Sequence, residues 1–287
     1  MDHPVVQPVL DWYAEHARTL PWRDGADAWG VLVSEVMLQQ TPVTRVLPTW
    51  HTWMGRWPTP ADLADARPDD VIRAWGSLGY PRRALRLRAC AQAIVDQHRG
   101  EVPSTEAALR ALPGVGEYTA AAVVAFAYRR RAVVLDTNVR RVLARVLDGV
   151  ALPPSHLTTA ERDRAAAVVP DDDARSARWN AAAMELGALV CTARTPRCPD
   201  CPLADRCTWL HAGSPPAPAA RTQPWAGTDR QARGTLLRLL RTSIGPVTRD
   251  ELAKVWPADE QRERALATLV ADELAVHLDD DRYGLPR

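Results

Sequence analysis

Apolar residues recur along this chain at helical spacing far more often than in strict alternation, and Pro and Gly fall between the recurring stretches. That pattern predicts a mainly α protein. Residues 29–40, WGVLVSEVMLQQ, place Trp29, Leu32, Val33, Val36 and Met37 on one stripe, with Glu35 outside it. Further helices are expected at 60–65, 68–76, 82–98, 104–111, 117–128, 137–147, 158–168 and 176–189, several opened by Thr, Ser or Asp as N-caps. Residues 212–229 carry four prolines and little periodicity, and read as a linker. Beyond it RGTLLRLLRTS, TRDELAKVW and DEQRERALATLVADELAVHL give three helices, the last running into a DDDRYG turn, an order like that of a winged helix. The longest uncharged apolar run, Thr119 to Tyr128, is about half of the roughly 20 residues a membrane span requires. The opening Met-Asp-His-Pro has no basic, hydrophobic leader, so a soluble, cytoplasmic protein is expected.

At 287 residues, 46% apolar and 25% charged, the chain has room for one large or two modest domains. Those values exclude wholesale disorder, a coiled coil and a collagen-like repeat. The net charge of +1 carries no global sign of a nucleic-acid partner, so local charge decides. Residues 1–211 hold 25 Arg and no Lys against 24 acids, and Lys254 is the single lysine of the chain. The first 211 residues therefore contain no side-chain amine able to form a Schiff base. After His211 there are 11 basic residues against 11 acids, a balance that favours packing or a protein contact over DNA binding for the tail.

Four of the five cysteines, Cys191, Cys198, Cys201 and Cys207, form C-x6-C-x2-C-x5-C within seventeen residues. Four thiolates so close suit one metal centre better than two disulfides. One close pair with wide outer spacings favours a [4Fe-4S] cluster over zinc, whose four-cysteine sites more often use two separated C-x2-C pairs, with free thiols as the third reading. Cys90 reads as a packed core thiol.

A second constellation is LPGVGEYTAAAVVAFAY, 112–128, followed by VVLDTNVRRVLARVL, 133–147. A Gly-x-Gly turn opening an apolar helix leaves backbone N–H groups free to hold a phosphate. The next apolar stretch delivers Asp136 to the start of another helix.

Hairpin, aspartate and cysteine spacing, in this order, resemble the helix-hairpin-helix, iron-sulfur DNA glycosylases, the superfamily that contains endonuclease III. The chain is more similar still to the adenine DNA glycosylases of the MutY type, over residues 8–211. The segments that carry the likeness are LPWR (20–23), SEVMLQQT (34–41), GSLGY (76–80), LPGVG (112–116), LDTNVRRVLAR (135–145) and ELGALVC (185–191). The resemblance implies a six-helix barrel over 26–129 and a [4Fe-4S] cluster domain formed by 1–25 with 130–211; the linker 212–229 and the small winged-helix-like domain at 230–287, read from the residues themselves, follow. It also implies double-stranded DNA with A:8-oxoguanine or A:G mispairs as partner, and a monomer. MutY-type enzymes usually end in a Nudix-like domain, for which 230–287 is too short, so the reading of 8-oxoguanine is not legible.

Hydrolysis of a purine glycosidic bond needs an acid for the leaving base and an anion for the positive sugar. Glu35 lies one turn from Val31 and Leu38, which disfavour its charged form; Asp136 sits at an N-cap, where N–H donors favour its charged form. Their pKa values are expected to be pushed apart. The resemblance assigns the same roles, proton donor and counter-charge. It places Tyr118 where lyase-type members carry a catalytic lysine, and Asn138 beside the aspartate. It also puts Trp22, Arg23 and Glu185 around the adenine, and Gln40 and Tyr80 as the wedge that fills the vacated stack, with Thr41 a neighbouring candidate; Leu38 and Val43 are further substrate-binding candidates, and Gly114, Val115 and Gly116 are expected on the DNA backbone. Two basic clusters, Arg82, Arg83, Arg86 and Arg88, and Arg129 to Arg131 with Arg140, Arg141 and Arg145, are expected to supply phosphate contacts. Monofunctional adenine excision is the leading reading. A glycosylase removing another mismatched base, such as thymine opposite G, and an iron-sulfur DNA-binding regulator are the alternatives, and the regulator would need neither carboxyl.

Overall fold

The computed structural model describes residues 2–217 and 225–287. Among them the chain forms α1 (Val6–His16), α2 (Ala28–Leu38), α3 (Val43–Arg56), α4 (Pro60–Ala64), α5 (Pro68–Trp75), α6 (Arg82–His98), α7 (Glu106–Arg110), α8 (Glu117–Phe126), α9 (Thr137–Asp148), α10 (Thr159–Val168) and α11 (Asp173–Leu189). There follow α12 (Thr208–His211), α13 (Asp229–Thr242), β1 (Val247–Thr248), α14 (Arg249–Val255), α15 (Asp259–Ala271), β2 (Val276–Leu278) and β3 (Arg282–Gly284). The mainly α reading holds. Periodicity overlooked α1 and α3 because each carries an internal proline. Pro8 falls in the first turn of α1, where no N–H donor is needed, and Pro48 stands six residues into α3. Thr and Asp caps open helices as expected: the side chains of Thr59, Thr105, Thr158 and Asp172 each accept a backbone N–H at an N-terminus. Among the described residues, no helix is long and apolar enough to cross a membrane.

The chain divides into two compact units, one of Met1–Glu35, Ser104–Ala111 and Val115–Ala219, the other of Val36–Pro103, Leu112–Gly114 and Ala220–Arg287. In the first, α1, α9, α11 and α12 enclose a core of Val6, Val9, Trp12, Val142, Val146, Trp179, Leu186 and Trp209, with Cys191 and Cys207 at its edge. The helix α11 approaches the start of α9 so closely at Gly187 that a Cβ there would lie 2.7 Å from Asn138 Cβ and 2.9 Å from the Asn138 carbonyl oxygen. Only glycine fits.

In the second unit Trp53 packs edge-on against Trp57 and Trp75, with ring centroids 4.8 and 5.4 Å apart, which fixes α3 against α5. The linker expected at 212–229 lies partly outside the described residues. After it the order α13–β1–α14–α15–β2–β3, with β3 antiparallel between β1 and β2, is winged-helix topology; Val247 pairs with Tyr283 and Val276 with Gly284. The turn between β2 and β3 places Asp280 and Asp281 at positive φ, a conformation that Asp tolerates better than most residues. The core of this tail, Leu236, Leu240, Leu252, Leu266 and Leu269 among others, includes Ile72 of α5, and Leu85 of α6 packs against it.

Candidate active site and metal centre

Glu35 is carried by α2, where the run Val31–Met37 is buried on every side, so the face expected to lie outside the apolar stripe is covered as well. Glu35 itself is 3% exposed. Its Oε2 accepts a hydrogen bond of 2.7 Å from the Tyr118 hydroxyl. Burial raises the Glu35 pKa to about 7; the Tyr118 hydrogen bond opposes the rise, the charge of Asp136 adds to it and Arg23 subtracts. A carboxyl in that state is protonated for much of the time at neutral pH. Tyr118 is raised well above the ordinary phenol range, first by burial and then by the two carboxylates, so it stays a donor.

Asp136 caps α9. Its Oδ1 accepts from the Val139 N–H at 2.7 Å and its Oδ2 from Asn138 Nδ2 at 2.6 Å. Asn138 Oδ1 in turn accepts from Arg141 Nη2 at 2.8 Å. Burial nonetheless moves the Asp136 pKa up, against these donors and Arg141. The expectation that helix donors alone would set it low is therefore corrected. Desolvation outweighs them, and the two carboxyls differ in how much opposes it: Asp136 has several donors and Glu35 has Tyr118.

Glu185, with a fully buried side chain, holds two arginines: Arg18 at 2.6 Å through Nε and 2.9 Å through Nη2, and Arg23 at 2.8 Å. Burial alone would raise its pKa; the hydrogen bonds from Arg18 and Arg23 more than offset that and bring it to about 2. Arg23 Nη1 is buried with no hydrogen-bond partner among the described residues. Trp22 is buried. Arg18 had no sequence signal. Arg141, spaced one turn from Asn138, carries such a signal, masked by its place in a run of arginines.

The other candidates lie as follows. Leu38 ends α2 and Val43 begins α3, both partly buried. Gln40, at φ 55°, is exposed, and Tyr80, at φ 45°, is 54% exposed. Thr41 is not exposed: its hydroxyl donates to the Leu78 carbonyl at 3.2 Å and accepts from Arg83 Nη2 at 3.1 Å, so it supports the Tyr80 loop instead of projecting from it. In the hairpin Gly114 has φ 78°, Val115 is buried, and Gly116 is the N-cap of α8 with extended backbone and no capping side chain.

Several arginines expected on phosphates are committed elsewhere. Arg83 is buried and donates to the carbonyls of Val36, Met37 and Gly79; Arg88 donates to Ala66, Arg131 to Pro170, and Arg140 pairs with Glu161 at 2.8 Å. Arg141 donates to the carbonyls of Cys191 and Gly187. Arg145, 2% exposed, donates to Cys191 Sγ at 3.3 Å and to the Thr192 and Ala193 carbonyls, with its guanidinium over Trp209.

Cys191, Cys198, Cys201 and Cys207 line one small cavity together with Arg145, Leu186 and Trp209. Burial raises the Cys198 thiol, and the charges of Cys191 and Cys207 raise it further, as expected of sulfurs facing one another. Four thiols on one small cavity suit a group in which each binds a different iron. Cys90 lies apart in the core, its thiol pushed up to about 12 by burial.

Residues 33–161 match the model of the HhH-GPD superfamily base excision DNA repair proteins, and residues 191–207 that of the iron-sulfur binding domain of endonuclease III. The cofactor is a [4Fe-4S] cluster, and the matched segment 191–207 spans the four cysteines. Among solved structures, a thermostable thymine-DNA glycosylase superposes with a TM-score of 0.65 at 26% identity, over 72% of this chain and 95% of that one. The adenine DNA glycosylase of Mycolicibacterium smegmatis is 50% identical over 98% of this chain and 96% of its own length. That of Mycobacterium tuberculosis (strain CDC 1551 / Oshkosh) is 51% identical over 97% of this chain and 92% of its own. With likeness at that level along nearly its whole length, the chain belongs to the adenine DNA glycosylase family, within the helix-hairpin-helix superfamily of base excision DNA repair proteins.

Proposed function

We propose that this chain, a DNA glycosylase acting as a monomer, hydrolyses the N-glycosyl bond of adenine mispaired with 8-oxoguanine or guanine in double-stranded DNA, and leaves an abasic site without cutting the strand. The observation that carries the reading is the pair of carboxyls: Glu35, raised to about 7 and hydrogen-bonded by Tyr118, in the field of a capped Asp136. In this reaction the protonated Glu35 gives its proton to a ring nitrogen of the extruded adenine, so the base departs neutral as the C1′–N bond breaks. The sugar cation that forms is stabilised by the Asp136 carboxylate. Asn138, held by Arg141, fixes the orientation of that carboxylate. Water adds at C1′ and its proton leaves to Asp136 or solvent, completing hydrolysis. No lysine of residues 1–211 is available to intercept the sugar, which accounts for an intact strand.

Trp22, Arg23 and Glu185 are assigned to the adenine pocket, where the unpartnered Arg23 Nη1 offers a donor, and Leu38 and Val43 are assigned to substrate binding. Gln40 and Tyr80 are assigned to the wedge, and the backbone of Gly114–Gly116 to a phosphate. Cys191, Cys198, Cys201 and Cys207 would hold the cluster through four iron–thiolate bonds, with Arg145 of α9 beside Cys191. The division into a cluster domain (1–25 with 130–211), a barrel (26–129) and a tail (230–287) belongs to the same proposal. A panel of duplexes carrying each mismatch, assayed for released base, tests it. Adenine release opposite 8-oxoguanine and G is expected; thymine release opposite G, or binding with no base release, would replace it.

A further inference from the structure

The balanced charge of the tail hides an uneven arrangement. Four of its arginines are occupied by its own acids: Arg249 pairs with Glu263 and Asp281, Arg262 with Asp259, Arg264 with Asp229, and Arg282 with Asp280. These pairs hold α14, α15 and the β2–β3 turn together, and α15, the helix a winged helix would present to a DNA groove, carries Asp259, Glu260 and Glu263. The arginines of α13 are arranged differently. Three of them, Arg230, Arg233 and Arg241, open onto a groove of about 830 Å³ within the second unit, lined by Gln39, Gln40 and Tyr80 as well as by α13.

Seven arginines and one acid, Asp272, line this groove. Asp272 is taken up by Arg82 at 3.1 Å and Arg233 at 2.6 Å, and Arg83 is buried on backbone carbonyls. Among the described residues, Arg86, Arg230 and Arg241 have no acidic partner, so their positive charge is directed into the groove without compensation. Two further features point to an occupant. Gly234 stands in the interior of α13, where glycine weakens a helix, and a Cβ there would meet nothing within 4 Å, so no protein neighbour accounts for it; it keeps the wall low. Trp225, 55% exposed, lies on the same groove and offers an aromatic face beside the guanidiniums. The wall is firmly seated, because Ile72 of α5 and Leu85 of α6 pack in the core of the tail.

We propose that this groove holds the phosphate backbone of the strand that carries the base opposite the adenine, with Arg86, Arg230 and Arg241 as its phosphate contacts. The winged-helix tail then binds DNA through its first helix. Gln40 and Tyr80, on the rim, place the groove next to the proposed wedge, where that strand must pass. The inference rests on the reading of the chain as a DNA glycosylase, and it reverses what the composition of the tail suggests. The chemistry required is a polyanion with charges at nucleic-acid spacing.

The test uses the full-length protein and a duplex bearing an abasic site opposite 8-oxoguanine, which cannot turn over, with affinity measured by fluorescence anisotropy between 50 and 200 mM salt. Each phosphate contact adds about 0.9 to the slope of log K against log salt. The double variant R230A/R241A is expected to lower that slope by about 2 and to weaken binding about tenfold or more. R230K/R241K, which keeps the charge, is expected to retain the slope, and R264A, on the other face, to change neither measurement. An unchanged slope and affinity in R230A/R241A overturns the proposal. So does loss of binding to an acidic peptide with duplex binding intact, which would make the groove a protein-docking surface. Wild-type protein that binds with the full slope but releases no adenine would instead overturn the glycosylase reading and leave the groove standing.

Discussion

Replacing Gly187 by alanine tests whether the catalytic aspartate is placed by packing as much as by its own helix. The new Cβ would lie 2.7 Å from Asn138 Cβ and 2.9 Å from the Asn138 carbonyl oxygen. Ordinary contact is about 3.5–4.0 Å, so α9 must shift by about 1 Å at its first turn. Overpacking of this kind costs about 1–3 kcal/mol, and alanine in place of glycine in a helix returns about 1 kcal/mol, leaving a net loss of about 0–2 kcal/mol. At about 2–4 °C per kcal/mol, the melting point falls by no more than about 8 °C. The effect on chemistry is larger. Asn138 is the residue that donates to Asp136 at 2.6 Å, and a 1 Å misplacement of a reacting group costs about 100-fold in rate, or about 2.7 kcal/mol. Single-turnover base release at saturating protein, read beside a melting curve, separates the two: a fully folded variant slowed about 100-fold is expected. A wild-type rate would refute the reasoning, as would a rate loss accounted for by the unfolded fraction.

Glu35→Gln and Asp136→Asn are each expected to keep fold and DNA affinity while slowing single-turnover excision about 100-fold or more; near wild-type turnover in either removes that residue from the mechanism. Because the acid must be protonated and its pKa is raised to about 7, excision is expected to be fastest below that pH and to fall about tenfold per unit above it. Tyr118→Phe removes the hydrogen bond that lowers this pKa, so the falling limb should move to higher pH; a limb that stays in place argues against Glu35 as the acid. Purified protein should be brown, with about four irons per chain. Cys198→Ser should lose both colour and soluble yield and Cys90→Ser neither, and stoichiometric zinc in place of iron would sink the assignment.

The features legible in the amino-acid sequence are those written in short-range spacing. Helices follow from apolar periodicity and caps, the cluster ligands from C-x6-C-x2-C-x5-C, and Asp136 and Glu35 from the motifs that surround them. Local information also placed Asp136 at an N-cap, which it is. Tertiary structure decided what burial and distant partners control. The acidity of Glu35 depends on Tyr118, 83 positions away, and that of Asp136 on a desolvation no helix terminus reveals. Arg18 and Arg23 meet Glu185 from more than 160 residues off. Arg83, Arg141 and Arg145 read as surface charge, yet each is buried on backbone carbonyls, because a guanidinium's role is set by which acceptors the fold brings to it. The same reason explains the tail. Composition counts its charges as equal, and only packing, by pairing acids on one face and leaving Arg230 and Arg241 without an acidic partner among the described residues on another, separates them in space.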